Sequence, residues 1–363
     1  MPFSTSSFDR QLPIVAWPLV LGGALLIFFG FVAYMEIRLA HFGYQPTVLD
    51  TKSRWVQERA RASRLGERAL ILIGASRIRL DVDLDVLREE TGLEPVQLAI
   101  EGDSFVPVLA SLAADSDIRG TVMVDYMDSA ITGFRGGRAQ LFQEYYERYG
   151  DNTPSSEKME KALSDILYGN FRSYANEASP LSSLYFRILR DDRAAQYLAI
   201  RPDRSRIADY SLVKFPDFYY QRVERILKVK LDLASPDVPR ILAQKISRLS
   251  PRDNRSFVQG IRPIREMVSA IEARGGRVLF VVMPTSGMVR EIYERWYPRT
   301  NFWDRFAKEV EAPTLNFADV PSLRDFACPD GSHLDGRDRV KFTLALLSAL
   351  ALGSRKATAD TVR

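Results

Sequence analysis

Five short apolar runs recur along the chain: "RALILIG" (68–74), "PVQLAIEG" (95–102), "TVMVDY" (121–126), "RVLFVVMP" (277–284) and "PTLNFADV" (313–320). Runs of this length without polar alternation are the pattern of strands covered on both faces, as in a parallel sheet. Between the first two lies "LDVDLDVLREETG", with helical spacing at Val82, Val86 and Leu87 and a stop at Gly92. Before the fourth lies "FVQGIRPIREMVSAIEARGG", also of helical period and closed by Gly275 and Gly276. Strands alternating with helices predict an α/β layered fold around a parallel sheet.

The interval from about 127 to 276 breaks that rhythm. A crossover between parallel strands needs only about a dozen residues, so this stretch is expected to hold a helical insertion, at about 128–276. "SSEKMEKALSDILYGNF", "SPLSSLYFRILRDDRAAQYLAI" and "FPDFYYQRVERILKVKL" carry helical periodicity, punctuated by Pro154, Pro180, Pro202, Pro216, Pro236 and Pro239. Upstream, "FGYQPTVLDTKSRWVQERARASRLGERA" is polar and helical from about Asp50, which predicts a stalk. Ahead of it, Leu12 to Met35 runs without a charged residue. As a helix it would reach about 36 Å, against a hydrocarbon core of about 30 Å. A cleavable signal would have a shorter apolar region, about 7–15 residues, and a small-residue exit. Here Tyr34, Met35 and Glu36 stand where small residues would be, which favours an uncleaved anchor. Arg10 and Arg38 flank the run and leave the positive-inside rule undecided; the short N-terminal segment favours a cytoplasmic start, with the rest outside. The expected organisation is an anchor over 1–37, a helical stalk over 38–67, an α/β domain over 68–352 and a tail over 353–363.

At 363 residues, 46% hydrophobic and 26% charged, the chain is long enough to bury at least one sizeable core. Its one cysteine, Cys328, rules out an internal disulfide framework and reads as a small buried apolar residue. From Arg187 to Glu266 there are 18 Lys and Arg against 10 Asp and Glu, a net of +8 in a chain whose total is +4. Such a stretch, interleaved with Tyr210, Tyr219 and Tyr220, suits anionic headgroups, an acidic polymer or a partner, or is simply a solvated basic surface. An exported domain argues against nucleic acid.

Only two histidines are present. His41 stands at the predicted membrane boundary, and two histidines with one cysteine do not make a metal site of the common kinds, so neither metal nor cofactor is expected. His333 stands three residues after Asp330 in "CPDGSHLDGRDRV". If "DGSH" is a turn, the Asp330 carboxylate can accept from the near ring nitrogen and leave the far one free as a general base. Two serines compete as its nucleophile. Ser104 belongs to a literal Gly-Asp-Ser string, and Ser76 lies just past the first strand, after Gly74. In open α/β sheets ligands bind beyond the carboxyl ends of the strands, and this position favours Ser76. A turn or helix starting there would aim the Ser76 N–H at a developing oxyanion; a helix N-cap is the ordinary alternative for such a serine.

These residues together resemble the SGNH/GDSL hydrolase superfamily over about 68–352. Ser76 matches its serine block, Gly102 its oxyanion glycine, and Asp330 with His333 the final block, in a tail "DGSHLDGRDRVKFTLALLSAL" like the family's ending. The family's third block, where an asparagine completes the oxyanion hole, has no clear match: "VDYMDSA" offers Asp125, Asp128 and Ser129. The resemblance implies a flavodoxin-like parallel sheet flanked by helices, a Ser76–His333–Asp330 triad, and an oxyanion hole from the Ser76 and Gly102 amides. Arg77 and Asp125 are further candidates, for substrate binding, with a structural salt bridge as the other reading of Arg77. The anchor, the Gly-x-Ser-Arg form of the first block and the insertion look like the membrane-anchored acyl-transfer branch, which includes the D-alanyl-transfer protein of teichoic acid modification and proteins of polysaccharide O-acetylation. That branch implies an acyl-serine, a polysaccharide acceptor, a multi-spanning membrane-bound O-acyltransferase as partner, and a place on the outer side of the cytoplasmic membrane. A membrane-tethered esterase or thioesterase and a non-catalytic scaffold are the alternatives.

Overall fold

The computed structural model describes residues 17–41, 43–132, 137–174 and 197–352. Seven strands form among them: β1 (Ala69–Ile73), β2 (Glu94–Gln97), β3 (Thr121–Asp125), β4 (Leu198–Ile200), β5 (Arg206–Ala208), β6 (Arg277–Val282) and β7 (Thr314–Asn316). Five of them make one all-parallel sheet in the order β2-β1-β3-β6-β7. All five apolar runs contribute a strand to it. Because successive side chains point to opposite faces, one face presents Ile71, Ile73, Val96, Val122, Val124, Val278 and Phe280. The opposite face presents Leu70, Leu72, Met123, Leu279 and Val281. Helices Val106–Ala114 and Arg255–Glu272 contribute to the core on the first face, and Leu84–Thr91 and Arg339–Ala349 to that on the second. With both faces covered, each strand can be apolar throughout, and every residue of β1 is buried. β2 stops well short of Gly102, yet the amides of Leu98 and Ile100 still donate to the Leu72 and Gly74 carbonyls at 2.8 and 3.0 Å. The chain therefore follows β1 to its end.

The stalk expectation does not hold. Helix Lys52–Leu65 packs on the first face of the sheet, with Trp55, Val56 and Ala62 fully buried and the Trp55 indole N–H donating to the Leu98 carbonyl at 2.8 Å. Its arginines made the segment look solvated, but Arg59 pairs with Asp115 at 3.0 Å and Arg54 with Asp165 at 2.5 Å. An arginine is buried when a carboxylate from elsewhere neutralises it, and its stem then packs as apolar surface.

The insertion is helical at Gly137–Tyr149, Ser155–Asn170, Asp217–Leu227 and Val238–Ser247. Arg255–Glu272 is instead a layer of the sheet domain, burying Phe257, Ile261, Ile264, Val268 and Ile271. The helical reading of "SPLSSLYFRILRDDRAAQYLAI" fails where it can be compared: Leu198–Ile200 is a strand, paired antiparallel with Arg206–Ala208 in a hairpin. Residues 179–196 of that run, like 1–16 and the tail from 353, lie outside the described residues.

Helix Trp17–His41 is long and apolar enough to cross a membrane. Most of it faces outward, with Leu26 75% and Ile27 72% exposed; Met35 and Leu39 are buried. It continues past the predicted end at 37, and Glu36, just before that end, is satisfied by the rest of the chain. The Glu36 carboxylate accepts from the Arg172 and Ser173 amides at 2.8 and 2.9 Å and from the Ser173 hydroxyl at 2.8 Å.

Candidate active site at the carboxyl ends of the strands

β1 ends at Ile73, and Gly74 turns the chain with φ +135°. A Cβ there would stand 2.5 Å from the Asp125 Cβ, so the exit requires glycine on both counts. Ser76 then opens the short helix Ser76–Asp81. From the other end of the sequence, the loop before helix Arg339–Ala349 turns at Gly331, φ +88°, where a Cβ would collide with Val289. One Asp330 carboxylate oxygen accepts the backbone amides of Ser332 and His333, both at 2.9 Å, which folds "DGSH" into the expected turn. The other lies 2.7 Å from His333 Nδ1. A carboxylate only accepts, so Nδ1 carries the proton and Nε2 is left as an acceptor. The Ser76 hydroxyl, 257 positions away in sequence, donates to it at 2.8 Å. Burial alone would raise the Asp330 pKa, but the hydrogen bond from His333, with the Arg222 charge and the Ser332 amide, holds it well below the usual carboxylate range. It is therefore ionised at neutral pH.

Residues outside any recognisable motif hold this line in place. Asp81, at the far end of the Ser76 helix, accepts the Leu334 amide at 2.9 Å and so ties that helix to the histidine loop. Burial pushes the Asp81 pKa well up. The β4–β5 hairpin touches three parts of the site. The Arg204 carbonyl accepts from Arg79 of the Ser76 helix at 3.1 Å. Arg206 pairs with Glu101, beside Gly102. Just beyond β5, the Tyr210 amide donates to Asp335 at 3.1 Å, and Gly336 N–H donates to the Ala208 carbonyl at 2.7 Å, which fixes the segment after His333. Beneath the hairpin, Asp50 takes Arg204 at 2.7 Å and Arg79 at 2.8 Å; those two arginines outweigh burial and hold its carboxyl far below the ordinary range. From helix Asp217–Leu227, Arg222 reaches Asp330 at 3.4 Å and hydrogen-bonds the Ser332 hydroxyl. Of these, Arg79, Asp81, Arg204 and Arg222 had no sequence signal beyond their charge. Much of the basic excess is spent in this way: Arg201, Arg204, Arg206 and Arg222 all pair with acids that lie outside that interval or at its hairpin turn.

Gly102 adopts φ +67°, with open space where a Cβ would stand. Ser104 faces away from the histidine, its hydroxyl donating to the Ala130 carbonyl at 3.0 Å and accepting the Val106 amide at 3.1 Å. Arg77 and Asp125, the two substrate-binding candidates, are paired with each other at 2.9 Å. The Asp125 side chain has no exposure and supports the turn by accepting the Ala75 amide at 3.3 Å, so it is not placed to touch a substrate. Arg77 also donates to the Tyr126 carbonyl at 3.0 Å and forms part of the wall of a cleft of about 200 Å³ beyond β3, β6 and β7. Tyr293, Tyr297 and Trp303 line the same cleft, as does Asp128. Burial raises the Asp128 pKa to about 6, although it accepts a hydrogen bond from the Tyr126 hydroxyl at 2.8 Å. Cys328 is buried and its thiol pKa is pushed up by that burial, in keeping with a small packing residue. His41 ends the apolar helix. Among the described residues no group of three or more His, Cys, Asp or Glu is arranged to hold a metal ion. Searched against the models of known protein families, the chain matches none, and no curated protein is significantly similar to it.

Proposed function

We propose that the chain is a membrane-anchored serine acyltransferase of the SGNH type, moving an acyl group through an acyl-serine onto a polysaccharide hydroxyl. The observation that carries this is the hydrogen-bonded line Ser76 Oγ to His333 Nε2 at 2.8 Å and His333 Nδ1 to Asp330 at 2.7 Å. A hydroxyl, a neutral imidazole and an ionised carboxylate in that order are what nucleophilic acyl chemistry needs. The strand order supports the fold reading: counted within the large sheet alone, it runs 2-1-3-4-5, the flavodoxin-like order.

Ser76 Oγ attacks the acyl carbonyl carbon while its proton passes to His333 Nε2, and Asp330 stabilises the imidazolium. The Ser76 and Gly102 amides are the donors for the oxyanion. The bond to the leaving group breaks as His333 returns the proton to it, leaving the acyl ester on Ser76. A polymer hydroxyl then gives its proton to the same nitrogen and attacks the ester, and Ser76 Oγ takes the proton back. Water in that second step gives hydrolysis, the esterase outcome. The cleft walled by Tyr293, Tyr297 and Trp303 suits a sugar ring, whose apolar face stacks on aromatic side chains; Ser76 and His333 do not line it, and its link to them is Arg77, the residue after Ser76. In this reading helix Trp17–His41 is a single-pass anchor in the cytoplasmic membrane, with the catalytic domain on its outer side. A single helix forms no passage for an acyl donor, so a multi-spanning membrane O-acyltransferase delivers the group.

A fluorophosphonate probe tests the nucleophile. Labelling of the full chain is expected to vanish in Ser76→Ala and survive in Ser104→Ala. Absence of labelling where a control serine hydrolase reacts would sink the enzyme reading and leave the scaffold. Product on the polymer, formed only with the multi-spanning partner co-expressed, separates transferase from esterase.

A further inference from the structure

Helix Ser155–Asn170 turns an apolar stripe outward. Of its five charged residues three turn toward the domain, where Asp165 pairs with Arg54 at 2.5 Å and with Lys161 at 2.8 Å and Glu157 accepts from the Tyr145 hydroxyl at 2.5 Å, while Lys158 and Glu160 are exposed on the flanks of the stripe. Its outward face carries Met159, Leu163 and Ile166, 65%, 52% and 59% exposed. Spacings of four and three put these side chains on one stripe, and Ala162 is exposed between them. No residue of this helix is buried. A soluble surface scatters its exposed apolar side chains singly, whereas a stripe marks a contact surface.

The end of this helix is pinned to the apolar one. Arg172 and Ser173, two and three residues past Asn170, hold the Glu36 carboxylate through their backbone amides and the Ser173 hydroxyl. Arg172 also donates to the Tyr44 carbonyl at 2.9 Å. Glu36 is the first charged residue after the apolar run, so it marks the depth at which the chain leaves hydrocarbon. The carboxyl end of the striped helix is thereby fixed at that depth.

We propose that helix Ser155–Asn170 is a second membrane contact, lying at the bilayer surface with Met159, Leu163 and Ile166 among the lipid chains. This rests on the reading of Trp17–His41 as a membrane span. An interfacial helix of this kind holds the domain at one orientation to the bilayer, where a tether alone would let it swing. The occupant is lipid because the striped helix ends beside Glu36, at the end of a helix whose own apolar surface is exposed along most of its length and which needs hydrocarbon around it.

The test uses the full chain in vesicles of phosphatidylcholine and phosphatidylglycerol, carrying one nitroxide at Leu163→Cys or Ile166→Cys. Lys158→Cys, on an exposed polar position of the same helix, is the water reference; Leu26→Cys is the hydrocarbon reference. The native Cys328 is buried, and the unsubstituted chain is the labelling control. Spin relaxation by oxygen relative to a water-soluble nickel chelate is expected to rise several-fold at positions 163 and 166 above position 158. A ratio at 163 and 166 equal to that at 158 overturns the proposal. So does shielding from both reagents, which would mean that residues 175–196, a second copy or a partner protein covers the stripe. If position 26 itself reports water, the anchor reading has failed. If 26 reports lipid and 163 and 166 do not, only this proposal has.

Discussion

The sheet and the β4–β5 hairpin are built on opposite principles, yet both serve the same few side chains. The sheet is held by apolar burial from strands that could be read off one by one, and it delivers Ser76 at the end of β1. The hairpin is two three-residue strands stitched to the rest by buried charge: Arg204 and Arg79 on Asp50, and Arg206 on Glu101. Burial of an ion pair adds little net stability, but removing one partner leaves a costly unpaired charge. Such pairs therefore act mainly to define one arrangement. The comparison shows a division of labour in which the sheet positions Ser76 and the inserted chain positions the histidine loop and the Gly102 turn.

The largest expected effect lies on the site itself. His333→Ala should cut the rate of fluorophosphonate labelling of Ser76 by about ten-thousandfold while leaving the melting transition nearly in place. Retention of rapid labelling would mean that the imidazole does not take the serine proton. Next is the hairpin. Arg204→Ala leaves Asp50 with Arg79 alone and takes the donor from the Gln97 and Ala99 carbonyls, and should lower stability in denaturant titrations by roughly 2–3 kcal/mol. If the division is right, labelling should slow even in the fraction that remains folded; undisturbed labelling would reduce the hairpin to decoration.

Arg222→Ala sharpens the contrast at intermediate size, because Arg222 is only partly buried and the histidine and backbone bonds to Asp330 persist without it. Labelling should slow about tenfold, equivalent to about 1.4 kcal/mol, with little change in melting. The pH response has two signs. Asp50 and Asp330 have depressed folded pKa values, so their stabilisation is present at neutral pH and is lost only as acid takes the solution below the ordinary carboxylate range. Asp128 is raised to about 6, so the folded state binds its proton first, and its contribution grows as pH falls from 7 toward 5. Asp128→Asn should abolish that gain in melting temperature; an unchanged profile would show that Asp128 titrates normally. The smallest effect belongs to an exposed pair of the same charge type. Arg262→Ala, which breaks the pair with Glu266 at 2.9 Å, should cost under about 0.5 kcal/mol and leave labelling untouched.

Legibility in the sequence followed the kind of force involved. Strand positions, the Gly92 stop, the "DGSH" turn and the apolar N-terminal helix could be read because each depends on local periodicity or on one residue's backbone preference. The helix Lys52–Leu65 could not be placed: its arginines signal solvent until Asp115 and Asp165 are brought to Arg59 and Arg54 from 56 and 111 positions away. The hairpin escaped notice because strands of three residues carry too little alternation to be distinguished from the end of a helical run. Of the site residues, Ser76, Gly102, Asp330 and His333 stood in recognisable strings. Asp81, Arg204 and Arg222 did not, since a carboxylate or guanidinium is called on for positioning only where the fold happens to bring an amide or a charge within reach.

What the sequence by itself determined is therefore the set of buried strands, the turns that glycine permits, and the chemistry each loop carries at its tip. Tertiary structure alone decided that Ser76 and His333 meet across 257 positions, and which arginines are buried with partners instead of solvated. The physical reason is range. Hydrophobic periodicity and backbone sterics act over a few residues and leave a pattern in them. An ion pair or a hydrogen bond between distant segments acts over a few ångströms in space and leaves none.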